Sequence, residues 1–151
     1  MRRAPDLAMT LYDTLQRASL TIESVIPRRR SAPFRARWRE RFGPPHMDWR
    51  TTRFDWESLG THRTGAVLIR KRAARELETQ RHEVSRFFVC EALGDDIYEM
   101  AGTPPAYEWW KQELSAGELF LVDEHWSWTF VMTHEESMGF GPYFVFDRGE
   151  E

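Results

Sequence analysis

Residues 118–147 read ELFLVDEHWSWTFVMTHEESMGFGPYFVFD, and the order of apolar residues in this stretch decides the fold. The apolar run at 118–122 predicts one strand. Residues 126–133 carry large apolar side chains at every second position, which predicts a second strand with one buried face. A third strand is predicted over 142–147. Because short connections join the three strands, we expect them to form an antiparallel meander.

Upstream of these strands, two segments have the period of an amphipathic helix. The first follows a good N-cap residue, Asp6, and is expected to run for about five turns and to end at Pro27. Its apolar residues recur at three- and four-residue steps: Leu7, Leu11, Leu15, Ala18 and Ile22. The second helix is expected to begin at residue 31 or 32 and to end at Gly43. It places three aromatic residues at four-residue spacing: Phe34, Trp38 and Phe42.

The middle of the chain is less regular. Residues 46–65 contain apolar anchors without a period, which predicts an ordered loop, whereas 71–81 and 106–114 favour helices. A short strand is expected at 97–100. For residues 82–92 two interpretations stay open, because this segment is rich in β-branched and aromatic residues but also fits the period of a continuing helix.

These elements predict an α+β fold in a single domain, 1–151. We expect the two N-terminal helices to pack on one face of the antiparallel sheet. The large residues of the second predicted strand should then be buried on that covered face: Trp126, Trp128 and Phe130.

The composition of the 151 residues excludes a disordered or membrane-embedded chain, since 41% are hydrophobic and 30% are charged. No apolar run approaches the roughly 18–20 residues that a membrane span needs. The single cysteine, Cys90, lies in an apolar stretch, which predicts a buried and inert thiol. One cysteine cannot form an internal disulfide, so we expect a cytoplasmic protein.

The charges are divided unevenly along the chain. Residues 1–86 contain 19 basic and 10 acidic residues, whereas residues 87–151 contain 2 basic and 14 acidic residues. Such asymmetry predicts either a charged partner for one surface or pairing between the two halves. Both interpretations stay open at the level of sequence.

No motif of a phosphate-binding loop, a dinucleotide fold, a nucleophile elbow or a zinc site is present. The best cluster for chemistry is His125, His134 and Glu135. The two histidines flank one predicted strand and would lie roughly 30 Å apart, which is too far to share a metal ion. We therefore predict no catalytic residues, no cofactor and no metal. A hydrolase without a recognisable motif stays an alternative.

The basic segment 28–41 carries the strongest signal for nucleic acid, since seven arginines alternate with aromatic residues. The arginines are Arg28, Arg29, Arg30, Arg35, Arg37, Arg39 and Arg41. Against this stands the four-residue spacing of the aromatic residues, which places them on one helix face and favours a core position. An Arg-rich nucleic-acid-binding protein is therefore the second alternative.

A partner surface is predicted in the acidic half, where aromatic residues alternate with carboxylates. Aromatic anchors with a charged rim are typical of protein interfaces. The candidate residues around the helix at 106–114 and the first strand turn are Tyr107, Glu108, Trp109, Trp110, Glu113, Asp123 and Glu124. We expect the partner of this surface to be a basic protein, and we expect no interaction with membranes.

The hairpin Trp128–Glu135, with the pattern W-x-x-V-x-T-H-E, followed by Gly-Pro-Tyr-Phe at 141–144, resembles the end of a group of small bacterial proteins of unassigned function. Some of these are similar to immunity proteins that accompany polymorphic toxins. The resemblance covers about residues 107–146. It adds three matched residues to the candidate partner surface: His134, Glu135 and Tyr143. Together with the acidic, aromatic surface, it favours the hypothesis of a non-enzymatic protein-binding domain, an immunity-type inhibitor whose basic partner is a toxin.

Overall fold

The computed structural model describes residues 10–44, 47–51, 54–61, 67–114 and 117–147. These residues form a seven-stranded antiparallel sheet in the order β1-β4-β3-β5-β6-β7-β2. The strands are β1 Thr21–Ile26, β2 Val67–Ile69, β3 Arg86–Cys90, β4 Ile97–Ala101, β5 Leu119–Asp123, β6 Trp128–Met132 and β7 Tyr143–Phe146. The helices are α1 Leu11–Arg17, α2 Ala32–Phe42, α3 Arg70–Gln80 and α4 Tyr107–Leu114.

The predicted α+β class is confirmed, and so is the C-terminal meander, because β5, β6 and β7 are neighbours in the sheet. Their residues alternate between two apolar faces. Leu119 and Leu121 of β5 point to one face, and Phe120 and Val122 point to the other. Both faces are buried, which explains why β5 reads as a continuous apolar run.

The helices are divided between the two faces of the sheet, which corrects the expectation that the N-terminal helices share one face. The first face is covered by α1, α3 and α4, through residues such as Leu11, Leu77 and Trp110. The second face is covered by α2 and by the 3-10 turns of Asp55–Thr61. Helical periodicity predicts that an apolar stripe is buried, but it carries no information on which face of a sheet the stripe covers.

The three large residues of the predicted second strand are all buried, but they do not share a face. Trp128 and Phe130 lie on the first face, whereas Trp126 packs under α2 on the second face. The strand begins only at Trp128, because Trp126 sits in the preceding turn with a φ of 58°. A residue in this left-handed conformation interrupts the alternation that the sequence suggests.

The first predicted helix is wrong over its second half. Helix α1 ends at Arg17, Ser19 adopts a φ of 58°, and residues Thr21–Ile26 form the edge strand β1. The segment TIESVI contains several β-branched residues, which favour a strand over a helix once a packed neighbour is present. The expected N-cap Asp6 and first apolar residue Leu7 lie outside the described residues.

The two interpretations of residues 82–92 are resolved in favour of a strand. Helix α3 ends at Gln80, a 3-10 turn covers Arg81–Glu83, and β3 then pairs with both β4 and β5. Position β3 lies in the interior of the sheet, where β-branched and aromatic residues pack on both faces.

Helix α2 is anchored to the sheet by a buried hydrogen-bond chain. The indole Nε1 of Trp38 donates to Thr129 Oγ1 at 3.0 Å, and the Thr129 hydroxyl donates to the Leu121 carbonyl at 2.6 Å. The Trp38 ring also meets Phe120 edge-on, with centroids 5.4 Å apart. The aromatic residues of α2 are therefore core residues, as their four-residue spacing suggests.

Candidate functional site

The antiparallel register brings several connecting segments to one end of the sheet. Strands β3 and β6 end there and strands β4, β5 and β7 begin there. The segment that follows β1 lies there too, since Ile26 pairs with Ile97 at the start of β4. We call this the loop end of the sheet. It consists of 27–31, 91–96, 117–118 and 133–142.

Residues 133–142, here called the His134 loop, are braced by their own hydrogen bonds. The Glu136 carboxylate accepts the Thr133 N–H at 3.0 Å and the Tyr107 hydroxyl at 2.6 Å. The Thr133 hydroxyl donates to the Phe140 carbonyl and accepts the Glu135 N–H. Five of the six groups in these bonds belong to the ten residues of the loop itself, and the sixth is the Tyr107 hydroxyl. The loop is thus held in one conformation.

Two glycines allow the His134 loop to turn back toward β7. Gly139 has a φ of 93° and Gly141 has a φ of 96°, a region that residues with a Cβ rarely adopt. A Cβ at Gly139 would also lie 2.8 Å from the guanidinium of Arg70. The glycines therefore set the shape of the loop.

His134 is fixed between two aromatic rings and two carboxylates. Its ring meets Phe54 and Trp56 edge-on, with centroids 4.9 Å and 5.9 Å away. Nδ1 contacts the Glu118 carboxylate, and Nε2 lies 3.3 Å from Glu135 Oε2. Glu118 also accepts the Trp56 Nε1–H at 2.9 Å. Glu118 therefore joins the 3-10 turns on the second face to the His134 loop.

The same loop exposes two large apolar side chains. Met138 is 69% exposed and Phe140 is 44% exposed, and the Phe140 ring lies 6.1 Å from the ring of Trp56. A surface with both apolar and acidic character results, and we call it the loop surface. It consists of Phe54, Glu118, His134, Glu135, Met138 and Phe140.

A cavity of about 300 Å³ lies beside the loop surface, between the His134 loop and α4. Tyr107 and Lys111 line it from α4, and Met132, His134 and Glu136 line it from the strand and the loop. Lys111 Nζ lies 5.6 Å from the centroid of the Tyr107 ring. Tyr107 and Glu136, which both line the cavity, are hydrogen-bonded to each other.

Burial raises the pKa of the Glu136 carboxyl above its ordinary value of 4.5, and the hydrogen bonds from Tyr107 and Thr133 oppose this only in part. Burial, followed by the bond to Glu136, also raises the pKa of Tyr107. The pair therefore acts as a hydrogen-bonded brace between α4 and the loop at neutral pH.

The raised pKa of Glu136 gives a pH-dependent stability. The folded protein holds the Glu136 proton more tightly than the unfolded chain does, so this contribution is fully present below about pH 4.5 and is lost as the pH rises through the raised pKa. In denaturant titrations between about pH 4 and 7, the stability of the wild type relative to Glu136→Gln is expected to fall with rising pH.

The control for this prediction is Ser137→Ala, which removes no titratable group from the same loop and should keep the wild-type pH profile. A stability difference between wild type and Glu136→Gln that rises with pH would contradict the assignment.

Three residues of the predicted partner surface are buried and cannot contact a partner in this conformation. They are Trp110, Asp123 and Tyr143. Trp110 packs in the core of the first face, and its Nε1 donates to the Pro105 carbonyl at 2.9 Å. Tyr143 packs in the core of the second face. Sequence reasoning cannot distinguish a buried aromatic residue from an exposed one when both lie beside polar residues.

The members of the predicted surface are also separated by the length of the sheet. Asp123 is the last residue of β5 and Glu124 begins the turn that follows, at the end of the sheet opposite His134 and Glu135. Five strand residues span about 17 Å, so the two groups do not form one patch. Glu113 pairs with Arg17 of α1, whereas Glu108 is exposed and Trp109 is half-buried beside Trp110.

Most of the arginines of 28–41 have partners within the protein. Arg35 and Arg39 both bind the buried carboxylate of Asp55, with Nε–Oδ distances of 2.9 and 2.6 Å. The Arg37 guanidinium lies 4.3 Å from the centre of the Trp126 ring. Two arginines bind carboxylates of the acidic half, as Arg28–Asp95 and Arg41–Asp147 pairs.

The remaining arginines of this segment, Arg29 and Arg30, are exposed on the 3-10 turn that precedes α2. The charges of the two halves of the chain therefore partly neutralise one another, because arginines of the first half bind carboxylates of the second. The pairing of Asp55 with two arginines could not be predicted from the sequence. A single aspartate in an irregular segment does not indicate which distant residues it will bind.

Neither of the other reactive groups joins the loop surface. His125 is exposed in the turn after β5, 3.9 Å from Glu124, at the far end of the sheet from His134. Cys90 is buried, as expected, and burial raises the pKa of its thiol. Among the residues that the structure describes, no group of three or more His, Cys, Asp or Glu side chains is arranged to hold a metal ion.

Within the described ranges, no helix has both the length and the apolar character that crossing a membrane requires. Comparison of the chain with family models, with curated proteins and with solved structures gives no match.

Proposed function

We propose that this protein is a cytoplasmic, non-enzymatic protein-binding domain that recognises a basic protein through the loop surface. An inhibitor of the immunity type, with a toxin as its partner, is the form of this function that the C-terminal sequence resemblance suggests. The proposal keeps His134 and Glu135 from the predicted surface and replaces all its other members with Phe54, Glu118, Met138 and Phe140.

The observation that carries the proposal is the exposure of Met138 and Phe140 on a braced loop. Large apolar side chains that a rigid loop holds in water lose little conformational entropy when a partner covers them. Interface hot spots have this character, with a few aromatic or apolar anchors inside a polar rim. An unbraced loop could instead fold these residues against its own surface.

The rim of the loop surface indicates the charge of the partner. Glu118 and Glu135 flank His134, and Glu57 is exposed beside Phe54, whose N–H it accepts at 2.7 Å. Carboxylates at the rim favour a cationic partner and accelerate its association.

The arrangement of the arginines gives less support to the nucleic-acid alternative. Arg35 and Arg39 neutralise a buried carboxylate, and Trp38 is in the core with its indole N–H bonded to Thr129. Binding of a nucleic acid strand requires exposed aromatic rings for base stacking beside free arginines for phosphate binding. Helix α2 does not present these two groups together on its surface.

The test is direct binding by proteins encoded beside this gene and by basic proteins captured from the source cells. Each purified candidate is titrated calorimetrically with the wild type and with the double variant Met138→Ser/Phe140→Ser. Loss of two apolar anchors is expected to weaken binding by at least about 100-fold. Circular dichroism verifies that the variant is folded.

The matched control is His125→Ser, which removes an exposed ring from the opposite end of the same hairpin and should leave affinity within about twofold. The proposal is overturned if no candidate binds, or if binding candidates lose affinity with His125→Ser and not with the double variant.

A further inference from the structure

A second surface feature lies at the loop end, on the side of β1 and β4. It is an open cavity of about 640 Å³ between α1, the turn after β3 and the start of β4. We call it the tyrosine–carboxylate cavity. Its walls are Thr10, Leu11, Tyr12, Arg28, Glu91, Asp95, Asp96 and Tyr98.

Two tyrosine rings form the aromatic part of this cavity. Tyr12 of α1 and Tyr98 of β4 have ring centroids 6.2 Å apart and planes inclined by 46°. Tyr12 is 47% exposed, so part of its ring is accessible to a ligand. The faces of aromatic rings attract cations, and Tyr is among the better rings for this contact.

The carboxylates of the cavity outnumber its cations. Arg28 contributes the one guanidinium of the described lining; it pairs with Asp95, and its backbone N–H donates to Asp96 at 2.7 Å. The side chain of Glu91 forms neither a hydrogen bond nor an ion pair with any of the described residues. Burial raises the pKa of Glu91, and the charge of Asp95 adds to this effect. One carboxylate is therefore left without a counter-charge beside the two rings.

We propose that the tyrosine–carboxylate cavity binds the guanidinium of an arginine side chain that the basic partner inserts. This inference rests on the proposed function, since it assigns the partner a residue that enters the cavity while the loop surface receives its apolar groups. The pairing of Arg28 with Asp95 shows that a guanidinium fits the carboxylates of this site. A planar guanidinium can bind Glu91 through two N–H groups and stack on a tyrosine ring at the same time.

Both features belong to one continuous binding face. Three strand spacings separate β4 from β6 in the sheet order, which is about 14 Å. A cavity of about 300 Å³ between them is lined by Arg28 and Asp95 on one side and by Phe54 and Glu118 on the other. A partner surface of ordinary size covers this distance without difficulty.

The test uses N-acetyl-arginine methylamide as the probe and protein labelled with fluorotyrosine. The chain contains four tyrosines, so fluorine NMR reports on each of them. We expect the signals of Tyr12 and Tyr98 to shift in a saturable manner, while those of Tyr107 and Tyr143 stay in place. The matching citrulline compound, which has the same shape without the charge, should give no saturable shift.

Substitution then locates the charge that is responsible. Glu91→Gln is expected to weaken binding of the arginine probe by at least about fivefold. Glu83→Gln, which removes an exposed carboxylate at the opposite end of β3, should have no effect. Equal shifts with the citrulline compound, or an unchanged affinity in Glu91→Gln, would overturn the inference.

The two proposals fail separately. The arginine titration needs no partner protein, so its failure removes the cavity from the binding face while the Met138 and Phe140 experiment stands. Conversely, the arginine probe could bind saturably while partner affinity stays unchanged in the Met138→Ser/Phe140→Ser variant. That result would support the arginine site in the cavity and would overturn the proposed function of the loop surface.

Discussion

Replacing Trp128 with alanine is expected to lower the free energy of unfolding by about 3–5 kcal/mol. Trp128 is 2% exposed and lies in the core of the first face, where its ring stacks on Phe144 with centroids 5.1 Å apart and planes inclined by 27°. The truncation removes this contact and leaves a cavity between β6, β7 and the helices above them.

Equilibrium unfolding in urea measures the effect, with Trp109→Ala as the control for a half-buried tryptophan that should cost less. Trp128→Phe keeps most of the packing, so it remains informative if the alanine variant does not fold. A loss below about 1 kcal/mol for Trp128→Ala would show that this residue is outside the core.

Much of the meander could be predicted because β5 is a short continuous apolar run and β6 carries large apolar residues at every second position. Side chains in a strand point to opposite faces in turn, so the spacing of Trp128, Phe130 and Met132 marks a buried face. Helix α2 was equally accessible, since Phe34, Trp38 and Phe42 repeat once per turn and Gly43 ends the run.

The end of α1 could not be predicted from periodicity, since Leu11, Leu15, Ala18 and Ile22 fit one helix face. The β-branched residues of 21–26 favour a strand instead of a helix. This preference decides the structure only when the segment pairs with β4. The partner strand is distant in sequence. Ser24 of β1 and Glu99 of β4, whose side chains are hydrogen-bonded to each other, are 75 residues apart.

The candidate site was recovered only where one segment supplies it. His134 and Glu135 follow a recognisable strand and were predicted. Phe54, Trp56 and Glu118 reach His134 from distant parts of the chain, so no local pattern points to them. The glycines on both sides of Phe140 are a signal that sequence reasoning missed. Gly-Phe-Gly after a strand indicates a tight turn that displays its central ring.

Asp123 was predicted to face a partner, and its actual position leads to a stability effect instead. It is buried, and its carboxylate accepts three backbone N–H groups of the turn between β5 and β6. The donors are His125 at 3.2 Å, Ser127 at 2.6 Å and Trp128 at 2.8 Å. Asp123→Ala leaves all three groups without this acceptor, and we expect a loss of about 3 kcal/mol or more.

The neighbouring carboxylate is a close control for this substitution. Glu124 is partly exposed, and among the described residues its carboxylate is bonded to Ser85 and lies near His125, so Glu124→Ala should cost less than about 1 kcal/mol. Asp123→Asn separates geometry from charge. Its single carbonyl oxygen can still accept the Ser127 and Trp128 N–H groups, which share Oδ1, but its amide meets the His125 N–H as a second donor. We expect an intermediate loss for asparagine in urea unfolding. Equal stabilities for Asp123→Ala and Glu124→Ala would show that the carboxylate does not organise the turn, and the left-handed Trp126 would then need another support.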